Sequence, residues 1–117
     1  MNKQSEGFPK DVRLNNSRDF DRVFRSATIR SRHGALRMSA VATRMPTARM
    51  GLVVGKRALR RAHERNRAKR VLRETFRLHR EALPPMDIVI QVTGDAGNRA
   101  YRDSLQALLA ELLAGRS

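Results

Sequence analysis

A chain of 117 residues, 40% of them hydrophobic, is long enough for one folded domain and too short for two. Its formal net charge of +14, carried mostly by arginine, predicts an anionic partner. The sequence contains no cysteine, which excludes disulfides, thiolate zinc sites and cysteine nucleophiles. It shows no export signal and no apolar run long enough to span a membrane, so we expect a cytoplasmic protein without a membrane partner.

The chain begins with a polar segment and a helix start signal. Residues 1–12 lack hydrophobic periodicity, which predicts a mobile N-terminal arm, and residues 13–117 are expected to form a single domain. Asn16 with Asp19 three positions later resembles a capping box. The sequence therefore predicts a first helix of about three turns after Asn16.

Two phenylalanines, Phe20 and Phe24, lie one turn apart on this first helix, with Val23 between them. Packing in the core explains their spacing. An exposed ring would instead offer a flat face on which an unpaired base could stack. Both interpretations stay open, with one of the two rings expected to be partly exposed.

Four segments have the character of strands. Residues 28–34 are ambiguous and could form a short strand that begins a hairpin. Apolar and polar residues alternate over 35–43, as in a half-buried strand, and residues 50–55 form a short apolar run bounded by glycines. Residues 86–92 are β-branched and almost continuously apolar, which predicts a buried strand.

A strongly basic helix is predicted from about Ala62, ending before Pro84 because residues that precede proline disfavour helix. At 100° per residue its apolar and polar side chains separate onto two sides. The expected apolar side contains Ala68, Val71, Leu72, Thr75, Phe76, Leu78, Ala82 and Leu83. The expected polar side contains Arg65, Asn66, Lys69, Arg70, Arg73, Arg77 and Arg80. An amphipathic helix with this charge is suited to bind a polyanion.

The last predicted element is an amphipathic helix marked by Tyr101 and by leucines up to Leu113, with Asn98 as a plausible cap. The predicted order is therefore α-β-β-β-α-β-α, an α+β fold. No protein active site can be assembled from the sequence, because the three histidines are dispersed and no carboxylate lies at ligand spacing. We therefore expect no catalytic residue and no metal ligand in the protein.

The basic segment also resembles a known motif. Lys56-Arg57, Arg65-Asn66-Arg67, Lys69-Arg70 and Arg73-Glu74 are similar to the RNR motif of the bacterial ribonuclease P protein subunit. The segments FPKDVRLNNSRDFDRVF, RMGLVVGKR and DAGNRAYRDSLQALLAELL resemble other parts of that family, in the same order. The resemblance covers about residues 8–114.

This resemblance implies an α/β sandwich with a mixed four-stranded sheet, in which the basic helix makes an unusual left-handed crossover between two parallel strands. It implies a subunit of an endoribonuclease that removes the 5′ leader of precursor tRNA. In the family the catalytic RNA performs the hydrolysis with Mg²⁺, and the protein binds that RNA and the leader. The implied partners are the catalytic RNA and precursor tRNA, with no obligate protein partner.

Carried over by position, the resemblance implies two groups of binding residues. Contacts to the catalytic RNA are implied for Lys56, Arg57, Arg60, Arg61, Arg65, Asn66, Arg67, Lys69, Arg70 and Arg73. A cleft for the leader is implied at Phe20, Phe24 and Met38. Met38 stands where some relatives have an aromatic residue.

Two other classes of protein remain open from the residues alone. A ribosomal protein, or another structural RNA-binding protein without a role in cleavage, would have comparable charge and no active site. A DNA-binding architectural protein is disfavoured, because nothing in the sequence resembles a helix-turn-helix or a minor-groove wedge.

Overall fold

The computed structural model of the protein describes residues 13–14 and 16–114. Its helices and strands follow the predicted order α-β-β-β-α-β-α. The elements are α1 (Ser17–Ser26), β1 (Ile29–His33), β2 (Leu36–Ala42), β3 (Arg49–Val54), α2 (Ala62–His79), β4 (Met86–Val92) and α3 (Asn98–Leu113), with a 3₁₀ turn at Arg80–Ala82. The ambiguous segment at 28–34 contains the strand β1. The predicted arm at residues 1–12 lies outside the described residues.

The four strands form one mixed sheet in the order β1-β2-β4-β3. β2 pairs antiparallel with both β1 and β4, whereas β3 and β4 are parallel. Parallel neighbours need a crossover connection, and α2 provides it. The predicted fold class is confirmed, and the hand of this crossover stays a prediction from the resemblance.

Helices cover both faces of the sheet. α2 and α3 pack together on one face, over the main core formed by inward residues such as Leu36, Phe76, Ile90 and Leu105. α1 lies on the opposite face, above a smaller cluster of Leu14, Val23 and Val89. Side chains of β4 point alternately to the two faces and are buried on both, which explains its continuous apolar sequence.

Local signals set the start of α1 and the first hairpin. The side chain of Asn16 accepts a hydrogen bond from the backbone N–H of Asp19 at 2.9 Å, which confirms Asn16 as the N-cap. Gly34 has φ +57° in the turn between β1 and β2, a backbone conformation that favours glycine. That turn brings His33 opposite Leu36 and sets the register of the hairpin.

Three predictions for the helices are wrong. Asn98 does not cap α3, because Gly97 is the N-cap and Asn98 is the first helical residue. Leu78 and Ala82 were expected on the apolar side, but both are exposed, Leu78 over 65% of its surface. Leu78 lies at the edge of the apolar arc of α2, where neither the sheet nor α3 covers it.

None of the helices in the described part of the chain is both long and apolar enough to cross a membrane.

Candidate nucleic-acid interface

The segment that leads into α2 displays a group of cations. Leu59 is buried and its N–H donates to the carbonyl of Gly55 at 3.1 Å, so the loop is anchored to the core at that point. The predicted RNA-binding residues of this loop are all exposed: Lys56, Arg57, Arg60 and Arg61. A loop held by one buried leucine thus presents four positive charges beside the first turn of α2.

The exposed crest of α2 carries the residues most accessible to a large partner. Asn66, Arg70 and Arg77 are exposed, and the apolar side of the helix is buried against the sheet. Within the described residues Arg70 has no carboxylate partner, whereas Arg77 donates to Glu74 at 2.5 Å. Arg70 is therefore the crest cation whose charge is not balanced by the protein.

Arg65, Lys69 and Arg73 lie along one flank of α2 and are half-buried rather than fully exposed. Arg65 donates from Nη1 to the carbonyls of Leu59 and Arg60, each at 2.9 Å. It holds the preceding loop against the helix, a structural role that the sequence did not indicate. Burial, and then the nearby charge of Arg13, lowers the pKa of the Arg73 guanidinium. Arg13 and Arg73 are thus neighbouring like charges on this flank, and an anion placed there would be attracted by both.

Arg67 was predicted to contact RNA, and the structure uses its guanidinium within the fold. Its Nη1 donates to Asn98 at 2.6 Å, and its Nη2 donates to Asp95 at 3.2 Å and to the carbonyl of Ala96 at 3.1 Å. The guanidinium also lies 5.9 Å from the centre of the Tyr101 ring. Arg67 thus joins α2 to the β4–α3 loop, and its contact with RNA stays a prediction.

The two phenylalanines of α1 occupy different environments on the opposite face of the sheet. Phe20 packs against the smaller core cluster, and its ring lies on Gly51, so a Cβ at that position would collide with it. Phe24 exposes 36% of its surface. Of the two predicted cleft residues on α1, Phe24 therefore offers a ring to solvent, while Phe20 stabilises the position of α1.

Met38, the third predicted cleft residue, lines a groove together with Arg37 and Ser39, but its side chain points away from α1. Its side chain is 1% exposed and belongs to the main core beneath α2 and α3, not to the face covered by α1. Neighbouring residues of a strand point to opposite faces. The β2 residues on the α1 side are therefore Arg37, Ser39 and Val41, and Val41 packs with the smaller cluster.

An arginine cluster that the sequence analysis missed lies on this α1 side. Arg30 and Arg32 alternate along β1, and the register places Arg32 directly opposite Arg37. Together with Ser39 they line part of a groove of about 290 Å³. Arg30 also donates to the backbone carbonyl of Phe24 at 2.9 Å, which joins β1 to the last turn of α1. The period-two spacing of arginines in TIRSRH was the available signal.

A buried carboxylate connects α1 to two strands. Asp87 on β4 is fully buried and accepts hydrogen bonds from Arg49 on β3 and Arg22 on α1. Burial raises the pKa of Asp87, but the two guanidiniums outweigh it and hold the pKa below its usual value. One acidic residue within the apolar run MDIVIQV was a signal for such a partner, because a buried charge needs one.

The histidines remain apart from one another. His33 Nδ1 lies 3.1 Å from Ser104 Oγ, and His79 Nδ1 lies 2.8 Å from the carbonyl oxygen of Thr75. Over residues 13–14 and 16–114, no three histidine, aspartate or glutamate side chains are grouped so that they could hold a metal ion.

Comparison with known sequences agrees with the motif. The profile of the family Ribonuclease P matches residues 8–114 of the chain. The chain is 40% identical over 106 residues to the ribonuclease P protein component of Yersinia pestis (strain Pestoides F), covering 86% of this chain and 87% of that one. It is 38% identical over 108 residues to the corresponding protein of Halorhodospira halophila, covering 90% and 88%.

Solved structures show the same fold. The RNase P protein of Staphylococcus aureus superposes with a TM-score of 0.79 at 22% identity, covering 87% of this chain and 97% of that one. The RNase P protein of Thermotoga maritima gives a TM-score of 0.74 at 25% identity, covering 90% and 98%. With the profile, the curated relatives and the fold in agreement, this chain belongs to the family of ribonuclease P protein components.

Proposed function

We propose that this chain is the protein subunit of a cytoplasmic ribonuclease P ribonucleoprotein that removes the 5′ leader of precursor tRNA. The observation that carries the proposal is the separation of unbalanced positive charge onto two faces of one small domain. One face is the loop at 56–61 with the crest and flank of α2. The other is the surface beside α1, where Arg32 and Arg37 are paired across β1 and β2 and Arg30 hydrogen-bonds to the backbone carbonyl of Phe24, whose side chain is partly exposed. Two such faces suit a protein that holds two RNA partners together.

The catalytic RNA is assigned to the α2 face. The exposed cations of the loop and Arg70 would contact its phosphates, with Lys69 and Arg73 on the flank. Arg65 and Arg67 contribute indirectly, because their hydrogen bonds hold the loop and the α2–α3 contact in place. Supporting this assignment, these residues form a continuous segment whose charge is little diluted by acids.

The leader is assigned to the α1 face. A single-stranded segment presents both phosphates and unstacked bases, and the combination of arginines with an exposed phenylalanine suits both. Arg32 and Arg37 are directly opposed like charges, an arrangement that costs stability unless an anion binds between them. A leader phosphate is suited to that place.

In this proposal the RNA subunit performs phosphodiester hydrolysis with bound Mg²⁺, which supplies the activated water and stabilises the departing oxygen. The protein residues bind and orient the two RNAs, so that the leader enters beside the catalytic RNA. We expect the protein freed of RNA to cleave nothing. Measurable cleavage of precursor tRNA by rigorously RNA-free protein would refute that division of roles.

The deciding experiment is reconstitution of the protein with the ribonuclease P RNA at low Mg²⁺. Cleavage of leader-bearing precursor tRNA is measured, and binding of that precursor is compared with binding of mature tRNA, which has no leader. Stimulation of cleavage, together with tighter binding of the leader-bearing form, supports the proposal. A protein that binds RNA but changes neither quantity would instead be a ribosomal or other structural RNA-binding protein.

A further inference from the structure

A second binding feature lies between α2 and α3, away from the face covered by α1. Here a groove of about 260 Å³ follows the line where the two helices meet. Its buried side is formed by Val71 and Thr75, and Leu78 exposes most of its surface at the edge. The polar part of the lining consists of Arg70 and Glu74 of α2 and Arg102 and Gln106 of α3.

The charge of this groove is positive. Both Arg70 and Arg102 are exposed, and neither has a carboxylate partner among the described residues. Glu74 also lines the groove, but its carboxylate accepts a hydrogen bond from Arg77 at 2.5 Å, which lowers the pKa of Glu74 and balances its charge. An anion near Arg70 and Arg102 therefore meets two cations and one acid that is already paired.

The groove combines an apolar wall with two arginines at its rim, and neither a purely anionic nor a purely apolar ligand would use both. A phosphate alone would not need the apolar wall of Val71 and Leu78, and an apolar helix would not need two arginines at the rim. A nucleotide has an apolar base face and an anionic phosphate. The volume lies below the roughly 300–1,000 Å³ of sites for drug-sized ligands, which suits a single base.

We propose that this groove binds one unpaired nucleotide of the catalytic RNA, turned out of its stack. The base lies against Val71 and Leu78, its phosphate lies between Arg70 and Arg102, and the Gln106 amide hydrogen-bonds to the base edge. This inference rests on the proposed function and deepens it. It adds to the charged crest of α2 a site that recognises a base.

The first test uses the isolated protein, with adenosine 5′-monophosphate and ribose 5-phosphate as matched probes. Only the first has a base. In a titration followed by NMR at millimolar probe, we expect the nucleotide to shift the amide resonances of Val71, Thr75 and Leu78, and ribose 5-phosphate to leave them unchanged. Equal shifts from both probes would reduce the groove to a phosphate site and overturn the proposal, as would no shift from either.

The second test measures the affinity of protein variants for the catalytic RNA. Leu78→Asp places a negative charge at the edge of the groove, and Leu113→Asp makes the same change at another exposed leucine that does not line it. Arg102→Gln and Arg99→Gln each remove one positive charge from the same helix, and only Arg102 lines the groove. Circular dichroism confirms that each variant is folded.

We expect roughly tenfold weaker binding of the catalytic RNA for Leu78→Asp and for Arg102→Gln, and less than about twofold for the two controls. Equal losses within each pair would show that only net charge matters and would refute the groove. The two proposals can fail independently. If the protein does not stimulate leader removal but still binds adenosine 5′-monophosphate in the groove, only the proposed function is refuted. If it stimulates leader removal but does not bind the nucleotide, only the groove is refuted.

Discussion

The guanidinium of Arg49 on β3 donates two hydrogen bonds to the buried carboxylate of Asp87 on β4, from Nε and from Nη2, each at 2.9 Å. This bidentate pair joins neighbouring parallel strands on the α1 side of the sheet. Arg22 of α1 binds the same carboxylate, so one acid orients both a strand and a helix. The position of α1, and with it that of Phe24, therefore depends on the charge of Asp87.

Replacing Asp87 with asparagine should lower the free energy of unfolding at neutral pH. The change leaves two arginines without their carboxylate partner, and we expect it to cost about 2 kcal/mol. This is less than the roughly 3–5 kcal/mol lost when a fully buried ion pair is broken, because Arg22 is partly exposed. Urea unfolding measures the effect. The matched control is Asp103→Asn, whose carboxylate is exposed and 4.0 Å from Arg99. Equal losses in the two variants would contradict the structural role of Asp87.

The stability of the wild-type protein should fall at acid pH for the same reason. The pKa of Asp87 is lower in the folded chain than in the unfolded chain, so protonation favours unfolding. The contribution is complete above the unfolded value of about 3.9 and is lost as the pH falls through the folded pKa. The gap in unfolding free energy between wild type and Asp87→Asn should accordingly narrow below about pH 4. A gap that is constant with pH would show that Asp87 does not titrate as the geometry indicates.

Arg70 and Arg67 should separate RNA binding from folding. Arg70→Ala removes an exposed crest cation, so we expect weaker binding of the catalytic RNA and an unchanged free energy of unfolding. The salt slope, which is the slope of log K for RNA binding against the logarithm of the salt concentration, should become smaller in magnitude by about 0.7–0.9. Arg67→Ala removes the hydrogen bonds to Asn98, Asp95 and Ala96 and should cost about 1–2 kcal/mol of stability. Binding isotherms at several salt concentrations and urea unfolding give the two quantities. If Arg67→Ala were as stable as wild type and reduced the salt slope more than Arg70→Ala does, Arg67 would be the RNA contact and this assignment would be wrong.

Phe24→Leu should weaken leader binding without destabilising the protein. Leucine keeps apolar bulk but lacks the flat face, so we expect a loss of about 1 kcal/mol, roughly fivefold in affinity for leader-bearing precursor tRNA. The quantity to measure is the ratio of dissociation constants for precursor and mature tRNA in the reconstituted holoenzyme. Phe20→Leu serves as the comparison. The Phe20 ring packs on Gly51, so this substitution should lower the free energy of unfolding more than it weakens leader binding. An unchanged ratio for both variants would assign leader binding to the sheet alone.

Arg37→Gln should change stability and leader binding in opposite directions. Removing one of two opposed like charges should stabilise the free protein by about 0.2–1 kcal/mol, while affinity for the leader falls. Arg99→Gln makes the same change in net charge at an exposed site on α3. If both variants weaken leader binding equally, the effect of Arg37 is one of overall charge and not of a site.

Most of the element order could be predicted because its signals are local. The Asn16 cap, the alternation along β2 and the prolines after α2 act within a few residues, so the sequence contains all that decides them. The exceptions are also physical. Gly97 is the N-cap of α3, and the side chain of Asn98 instead accepts a hydrogen bond from Arg67, a residue 31 positions earlier in the chain. The sequence pattern cannot show such a partner.

The sequence by itself determined that this protein has a helix with one apolar and one cationic side, and therefore that it is suited to an RNA partner. Only the tertiary structure decided which cations are available. Arg65 and Arg67 lie at the borders of that helix, where carbonyl and carboxylate groups of other segments accept their hydrogen bonds. Periodicity also divides β2 into two faces but does not say which helix covers each. Met38 consequently lies in the core and Arg37 on the α1 side, since packing α2 and α3 together leaves only the opposite face for α1.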